Sequence, residues 1–131
     1  EMQSNSDTLR LATQTQRSLR NLLDCHPNNL RAMQYLLAYD LLTKDMISFA
    51  EDFEQYSIHT TDRTIEEAML IVMASRPEMR DRWHDYVQES TYRDFQSFNT
   101  IFEQSKGNPQ MLKAQFGNTY WYYMQFATKA N

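Results

Sequence analysis

Glycine and proline are scarce, with 2 Gly and 3 Pro among 131 residues. Tight β-turns lean on these two types, because glycine reaches positive φ and proline presets the corner. Their scarcity leaves few places for hairpins. Cysteine is nearly absent. The single thiol, Cys25, excludes an internal disulfide and any site built on several cysteines. It fits a reducing compartment without excluding an exported one. No charge of one sign dominates either: 13 basic against 17 acidic residues give a net charge of -4, and the two signs are mostly interspersed. A surface that neutralises phosphates needs a basic stripe, so the composition argues against nucleic acid as a partner. No apolar run approaches the length of a membrane span, about 20 residues, and no signal-peptide pattern opens the chain.

What the chain does have is helix punctuation and apolar residues every three to four positions. Its length predicts one domain, residues 1–131, large enough to bury roughly two-thirds of its unfolded surface without metals or disulfides. A first helix is expected over about residues 7–25, with Asp7 as N-cap. Leu9, Ala12, Leu19, Leu22 and Leu23 share a face that Gln16 interrupts, and Pro27 ends the helix. Asn28 or Asn29 then caps a helix to residue 43 that carries Leu30, Met33, Leu36, Leu37, Leu41 and Leu42. Asp40 is its one charge between Ala32 and Thr43, which predicts burial on several sides. After a Thr43-Lys44-Asp45 turn, Met46, Phe49, Ala50, Phe53 and Tyr56 repeat at i, i+3, i+4, i+7.

Residues 57–63 read as a loop. Thr64 with Glu67 has the spacing of a capping box, opening a broadly apolar helix through Ser75. Pro77 suits the first position of a charged helix with Trp83, Tyr86 and Val87 inward. Thr91 and Asp94 open another, with a stripe of Tyr92, Phe95, Phe98, Ile101 and Phe102 that Gly107 stops. Asn108-Pro109 restarts a short helix with Met111, Leu112 and Phe116. After Gly117-Asn118, residues 119–127 close the chain with Tyr120, Trp121, Tyr122, Tyr123 and Phe126.

Pro27-Asn28-Asn29, followed by Ala32, Leu36, Asp45 and Phe53, resembles one tetratricopeptide repeat. Leu37 stands where that pattern has Gly and Phe49 where it has Ala. Both widen the helix–helix contact, which departs from regular stacking. A longer resemblance runs through Asn29-Leu30-Arg31-Ala32-Met33-Gln34-Tyr35-Leu36-Leu37-Ala38-Tyr39, then Glu66-Glu67-Ala68, then Phe116-Gly117-Asn118-Thr119-Tyr120-Trp121-Tyr122-Tyr123. These segments resemble an uncharacterised family of Bacteroides-type membrane proteins. The resemblance implies a soluble, helical C-terminal region of a longer protein, with any membrane segment upstream of Glu1 and with no established activity. A start at Glu rather than Met is expected of a fragment or processed product.

Chemistry-bearing residues are few. Cys25 and His26 are adjacent, so their side chains diverge on a helix, and no Cys-x-x-Cys or His-x-x-x-His accompanies them. His26 at a helix end is favoured there by the dipole. His59 falls in a polar loop and His84-Asp85 on a charged helix. Glu66 and Glu67 pair as carboxylates, but both have structural uses at a helix start. There is no Gly-rich phosphate loop, Gly-x-Ser-x-Gly or His-Glu-x-x-His. No catalytic residue, cofactor or metal is expected. The aromatic terminus has three readings: a cap folded onto the Phe95-Phe98-Phe102 stripe, a surface for a partner, or a membrane-interface contact, the last weakened by Lys129 being the one cation nearby.

The expected architecture is all-α, with six to eight helices in an antiparallel, tetratricopeptide-like hairpin array crossed by the C-terminal helices. The expected function is a non-catalytic interaction module for a protein or peptide, with Tyr35, Tyr39, Trp121 and Tyr122 as anchors. Its rivals are a small-molecule-binding domain with a pocket lined by Met and aromatic residues, an enzyme using Glu66, His84 or His59, and a spacer or dimerising domain of a membrane protein.

Overall fold

The computed structural model describes residues 5–56 and 61–127, with side chains from residue 14 onward. Among them are eight α-helices, one turn of 3-10 helix and no strand. The chain is all-α. It falls into two compact units, one within residues 1–60 and the other within residues 61–128.

The first unit contains α1 (Asn5–Cys25), α2 (Leu30–Leu42) and α3 (Met46–Gln55). Helix α2 packs against both α1 and α3. Helix α1 is already helical at Asn5, so Asp7 lies inside it rather than at its cap. Asn29 caps α2 by accepting the Ala32 amide. Between α2 and α3 the amide of Asp45 bonds to the Asp40 carbonyl, and that of Lys44 to Leu41. This is a Schellman stop, and Lys44 takes its left-handed position with φ 58°. Asp45 then caps α3 through the Ser48 amide, so one residue ends one helix and begins the next.

The inner faces bury Leu23, Met33, Leu36, Leu37, Phe49 and Phe53. Two expectations are corrected. Gln16 does not interrupt the inner face of α1; it is itself buried, because Asp40 waits there as its partner. And α2 is not enclosed on several sides. Leu30 and Leu42, expected inside, are 46% and 49% exposed. Leu9 and Ala12 lie outside the described side chains.

The second unit contains α4 (Arg63–Ser75), α5 (Glu78–Trp83), the 3-10 turn His84–Tyr86, α6 (Glu89–Gln104), α7 (Pro109–Phe116) and α8 (Tyr120–Phe126). Helix α4 is the axis, touching α5, α6 and α8, while α7 joins α6 to α8. From Ile65 to Leu70 every residue of α4 is buried, Glu66 and Glu67 included. Trp83, Met69, Leu112 and Phe98 fill the space around it.

The start of α4 departs from expectation. Its cap is Asp62, which accepts the Ile65 amide, so Thr64 is not a cap and Glu67 does not turn back on it. Nor do Thr91 and Asp94 open α6 as a local pair: the Thr91 hydroxyl donates to Glu66, and Asp94 pairs with Arg63. Asn108 and Thr119 cap α7 and α8, near the helix starts expected at 108–109 and 119. Gly107, with φ 73°, follows a Schellman stop whose left-handed residue is Lys106, at φ 55°.

Candidate functional site

Four places among the described residues could hold chemistry or recognition. The first is the outer face of α2. Tyr35, Tyr39 and Leu42 recur at i, i+4 and i+7, so they form one stripe, with Ala38 between them. They are 54%, 39% and 49% exposed. Arg31, one turn earlier on the same face, is exposed and makes no ion pair among the described residues. A surface helix of a globular domain ordinarily turns polar side chains outward. Helix α2 instead has a buried apolar face and an exposed apolar stripe.

The second place is the polar centre between α1, α2 and α3. The Arg20 guanidinium forks onto Asp52, Nε to Oδ1 at 2.8 Å and Nη2 to Oδ2 at 3.0 Å. Asp40 is wholly buried and accepts from Gln16 Nε2 at 2.6 Å. Its other oxygen, Oδ2, meets no donor. Burial and the neighbouring Asp52 push the Asp40 carboxyl up to about 9, against the opposing pull of Gln16 and Arg20. Protonation resolves the orphaned oxygen, since an O–H there can donate toward Asp52. Asp40 is sealed from solvent, whereas the Arg20 side chain stays 33% exposed.

The third place is the Glu66-Glu67 pair. Glu66 Oε1 accepts the Gln88 amide at 3.0 Å and the Thr91 hydroxyl at 2.9 Å, capping α6 from outside that helix. Glu67 Oε1 accepts the Tyr120 amide at 2.7 Å, and its Oε2 accepts Arg63 Nε at 2.7 Å. Arg63 continues to Asp94 at 2.7 Å and lies 5.8 Å from the centre of the Trp121 ring. The two carboxylates therefore hold helix N-termini, where negative charge is stabilised by unpaired amides and the dipole. Neither borders an open cleft among those described.

The fourth place is a cleft of about 340 Å³ lined by Leu70, Met73 and Ala74 of α4, Arg80 and His84 around α5, and Tyr92, Phe95 and Gln96 of α6. The Tyr92 hydroxyl donates to the His84 carbonyl at 3.3 Å, and the two rings lie 5.9 Å apart. Burial, with Asp85 and Glu89 nearby, pushes the Tyr92 hydroxyl up from its ordinary range. His84 Nδ1 lies 3.2 Å from Asp85 on the exposed side.

The four anchors expected from sequence separate. Tyr35 and Tyr39 are exposed together on α2, and Tyr122 is half-buried against Phe126. Trp121 is a correction. It is 2% exposed and packs on Phe95 and Phe98, and its Nε1 donates to the Glu67 carbonyl at 2.9 Å. A buried indole needs such an acceptor, and with it secured Trp121 belongs to the interior. Helix α8 thus folds onto the Phe95-Phe98 stripe. Of the three residues weighed for catalysis, His84 lines the cleft, Glu66 is buried away from it, and His59 lies outside the described residues. Cys25 and His26 are exposed. Among the described residues no three His, Cys, Asp or Glu side chains gather as a metal would require, and no helix is long and apolar enough to cross a membrane.

Sequence comparison adds one result. The chain belongs to a family of unknown function, DUF6057, whose model matches residues 1–127. No curated protein and no solved structure matches it. Family membership supplies no reaction for the DUF6057 chain, so function is argued from its surfaces.

Missed in the sequence were Leu42 and Arg31 as companions of the two tyrosines, and Arg80 in the cleft. A helical projection of residues 30–42 would have placed Arg31, Tyr35, Tyr39 and Leu42 together. Nothing in the sequence signals Arg80, since its neighbours come from three separate elements.

Proposed function

We propose that the chain is a non-catalytic helical module that docks a partner protein on the outer face of α2. The observation that carries this reading is the exposed Tyr35-Tyr39-Leu42 stripe on a helix whose opposite face is already buried. Tyrosines give large contact area with little conformational entropy to lose, which makes them effective anchors. Arg31 at the end of the stripe makes no ion pair among the described residues, and its guanidinium is complementary to a carboxylate. The partner that fits is an amphipathic helix with an apolar face and an acidic residue one turn along it. The resemblance to one tetratricopeptide repeat supports a helical layer as the docking platform. The resemblance to Bacteroides-type membrane proteins supports a soluble region carried by a membrane-anchored chain.

The test places a photocrosslinking amino acid at Tyr39 in the intact protein in its native host, with the same group at exposed Glu103 as control. A discrete adduct from Tyr39 that is absent from Glu103 and lost in Leu42→Asp supports docking at the stripe. The same adducts from both positions, or none from Tyr39, overturn it. An adduct between two copies of the chain replaces the foreign partner with self-association.

A further inference from the structure

We propose that the cleft between α4, α5 and α6 binds a small amphipathic carboxylate, with its apolar body on Leu70, Met73 and Phe95 and its anionic head on Arg80. This goes beyond the docking reading and rests on different residues.

The cleft has the form of a small-molecule site. Its volume of about 340 Å³ corresponds to roughly eleven waters at about 30 Å³ each, near the lower end of ligand pockets. Leu70 and Met73 are nearly inaccessible elsewhere, at 3% and 4% exposure, so they form a floor. Tyr92 gives a fixed wall, because its hydroxyl is tied to the His84 carbonyl.

The polar part selects the head group. Arg63 and Arg20 are both engaged by carboxylates, whereas the Arg80 side chain makes no ion pair among the described residues. An unpaired guanidinium on the wall of an apolar cleft matches a carboxylate in bidentate geometry. A multiply charged phosphate fits poorly. The other basic group on the lining, His84, faces Asp85, and the charges of Asp85 and Glu89 act on Tyr92. One cation on the lining without an ion pair among the described residues, with acids close by, favours a single negative charge. An apolar floor without a second polar pair favours an aliphatic or aryl tail.

The experiment is an amide-resolved NMR titration of the full chain with octanoate, octanamide and octylamine. Octanoate is expected to shift the amides of Leu70, Met73 and Phe95 at millimolar concentration. Its affinity should exceed that of octanamide by about ten- to a hundredfold, the range of a charge-assisted hydrogen bond, and octylamine should bind no better than octanamide. Arg80→Gln, at an exposed position, should erase the difference between acid and amide. Ala74→Phe should block both by filling the cleft. Equal binding of acid and amide, an unchanged preference in Arg80→Gln, shifts confined to other residues, or no shift at all would each overturn the proposal.

Discussion

Glu67 accepts the backbone amide of Tyr120 at 2.7 Å, and its own carbonyl accepts the indole N–H of the next residue, Trp121. One residue of α4 therefore fixes both the start of α8 and its largest side chain. The same carboxylate holds Arg63, which reaches Asp94 on α6. Three helices meet at one buried acid.

Removing that acid should release α8. Glu67→Ala strands the Tyr120 amide and takes one partner from Arg63. Breaking a buried charged pair costs about 3–5 kcal/mol. Arg63 is 46% exposed and keeps Asp94, which places the expected loss near the low end, about 3 kcal/mol. Thermal unfolding should show a midpoint lowered by about 10 °C, with Trp fluorescence shifted to the red. Glu67→Gln keeps an acceptor for Tyr120 and should lose less. Equal midpoints for wild type and Glu67→Ala would refute the capping role.

Asp40 makes stability depend on pH in an unusual direction. Its folded pKa, about 9, lies above the ordinary carboxyl value of 3.8. Between those values the folded chain holds a proton that the unfolded chain releases, so stability is greatest below the lower value. It falls as pH rises and reaches its full loss above about 9. Gln16 and Arg20 on α1 and Asp52 on α3 are the polar groups around it. Asp40→Asn mimics the protonated form: its oxygen can accept from Gln16 and its amide can donate toward Asp52. The variant should be at least as stable as wild type at neutral pH, by on the order of a few kcal/mol. It should also lose the decline between pH 7 and 10. Urea midpoints across that range would decide, and a parallel decline in both proteins would refute the assignment.

The two helix stops make opposite predictions for two left-handed residues. Lys44 holds φ 58° with a side chain, so Lys44→Gly should relieve strain and gain about 0.5–1 kcal/mol. Gly107 holds φ 73°, and a Cβ there would lie 3.2 Å from the Phe102 ring. Gly107→Ala should therefore lose about 1–2 kcal/mol. Chemical denaturation of both variants checks the signs. Two changes in the same direction would contradict the backbone explanation.

The helices were legible because apolar spacing, Asn29, Asp45, Asn108 and Thr119 are local signals. Polar residues were harder to place, since their partners are distant. Glu67 has the spacing of a local capping box, yet its amide partner lies 53 residues on. Gln16 reads as an interruption until Asp40 faces it across 24 positions. Helix α2 misled in another way. Composition measures how apolar a helix is but not how many sides are covered, so Leu42 reads as an inner residue although it is 49% exposed beside Tyr35 and Tyr39. The cleft at Arg80 needed three elements in place before it could be seen.

Tyr35, Tyr39 and Trp121 are all aromatic, but Trp121 is buried while the two tyrosines are exposed, a difference that stability measurements can separate. Trp121 fills space among Phe95, Phe98 and Phe116. Trp121→Ala should cost about 3–5 kcal/mol, through lost burial and the cavity left behind. Tyr35 and Tyr39 have no comparable packing to lose at 54% and 39% exposure. Tyr35→Ser and Tyr39→Ser should each change stability by about 0.5 kcal/mol or less, and Tyr35→Ser should remove the crosslink formed from position 39. A loss of stability as large as that of Trp121→Ala would place the tyrosines in the core and withdraw the stripe as a docking face. A stable Tyr35→Ser variant with an unchanged crosslink from position 39 would leave the fold intact and refute Tyr35 as an anchor.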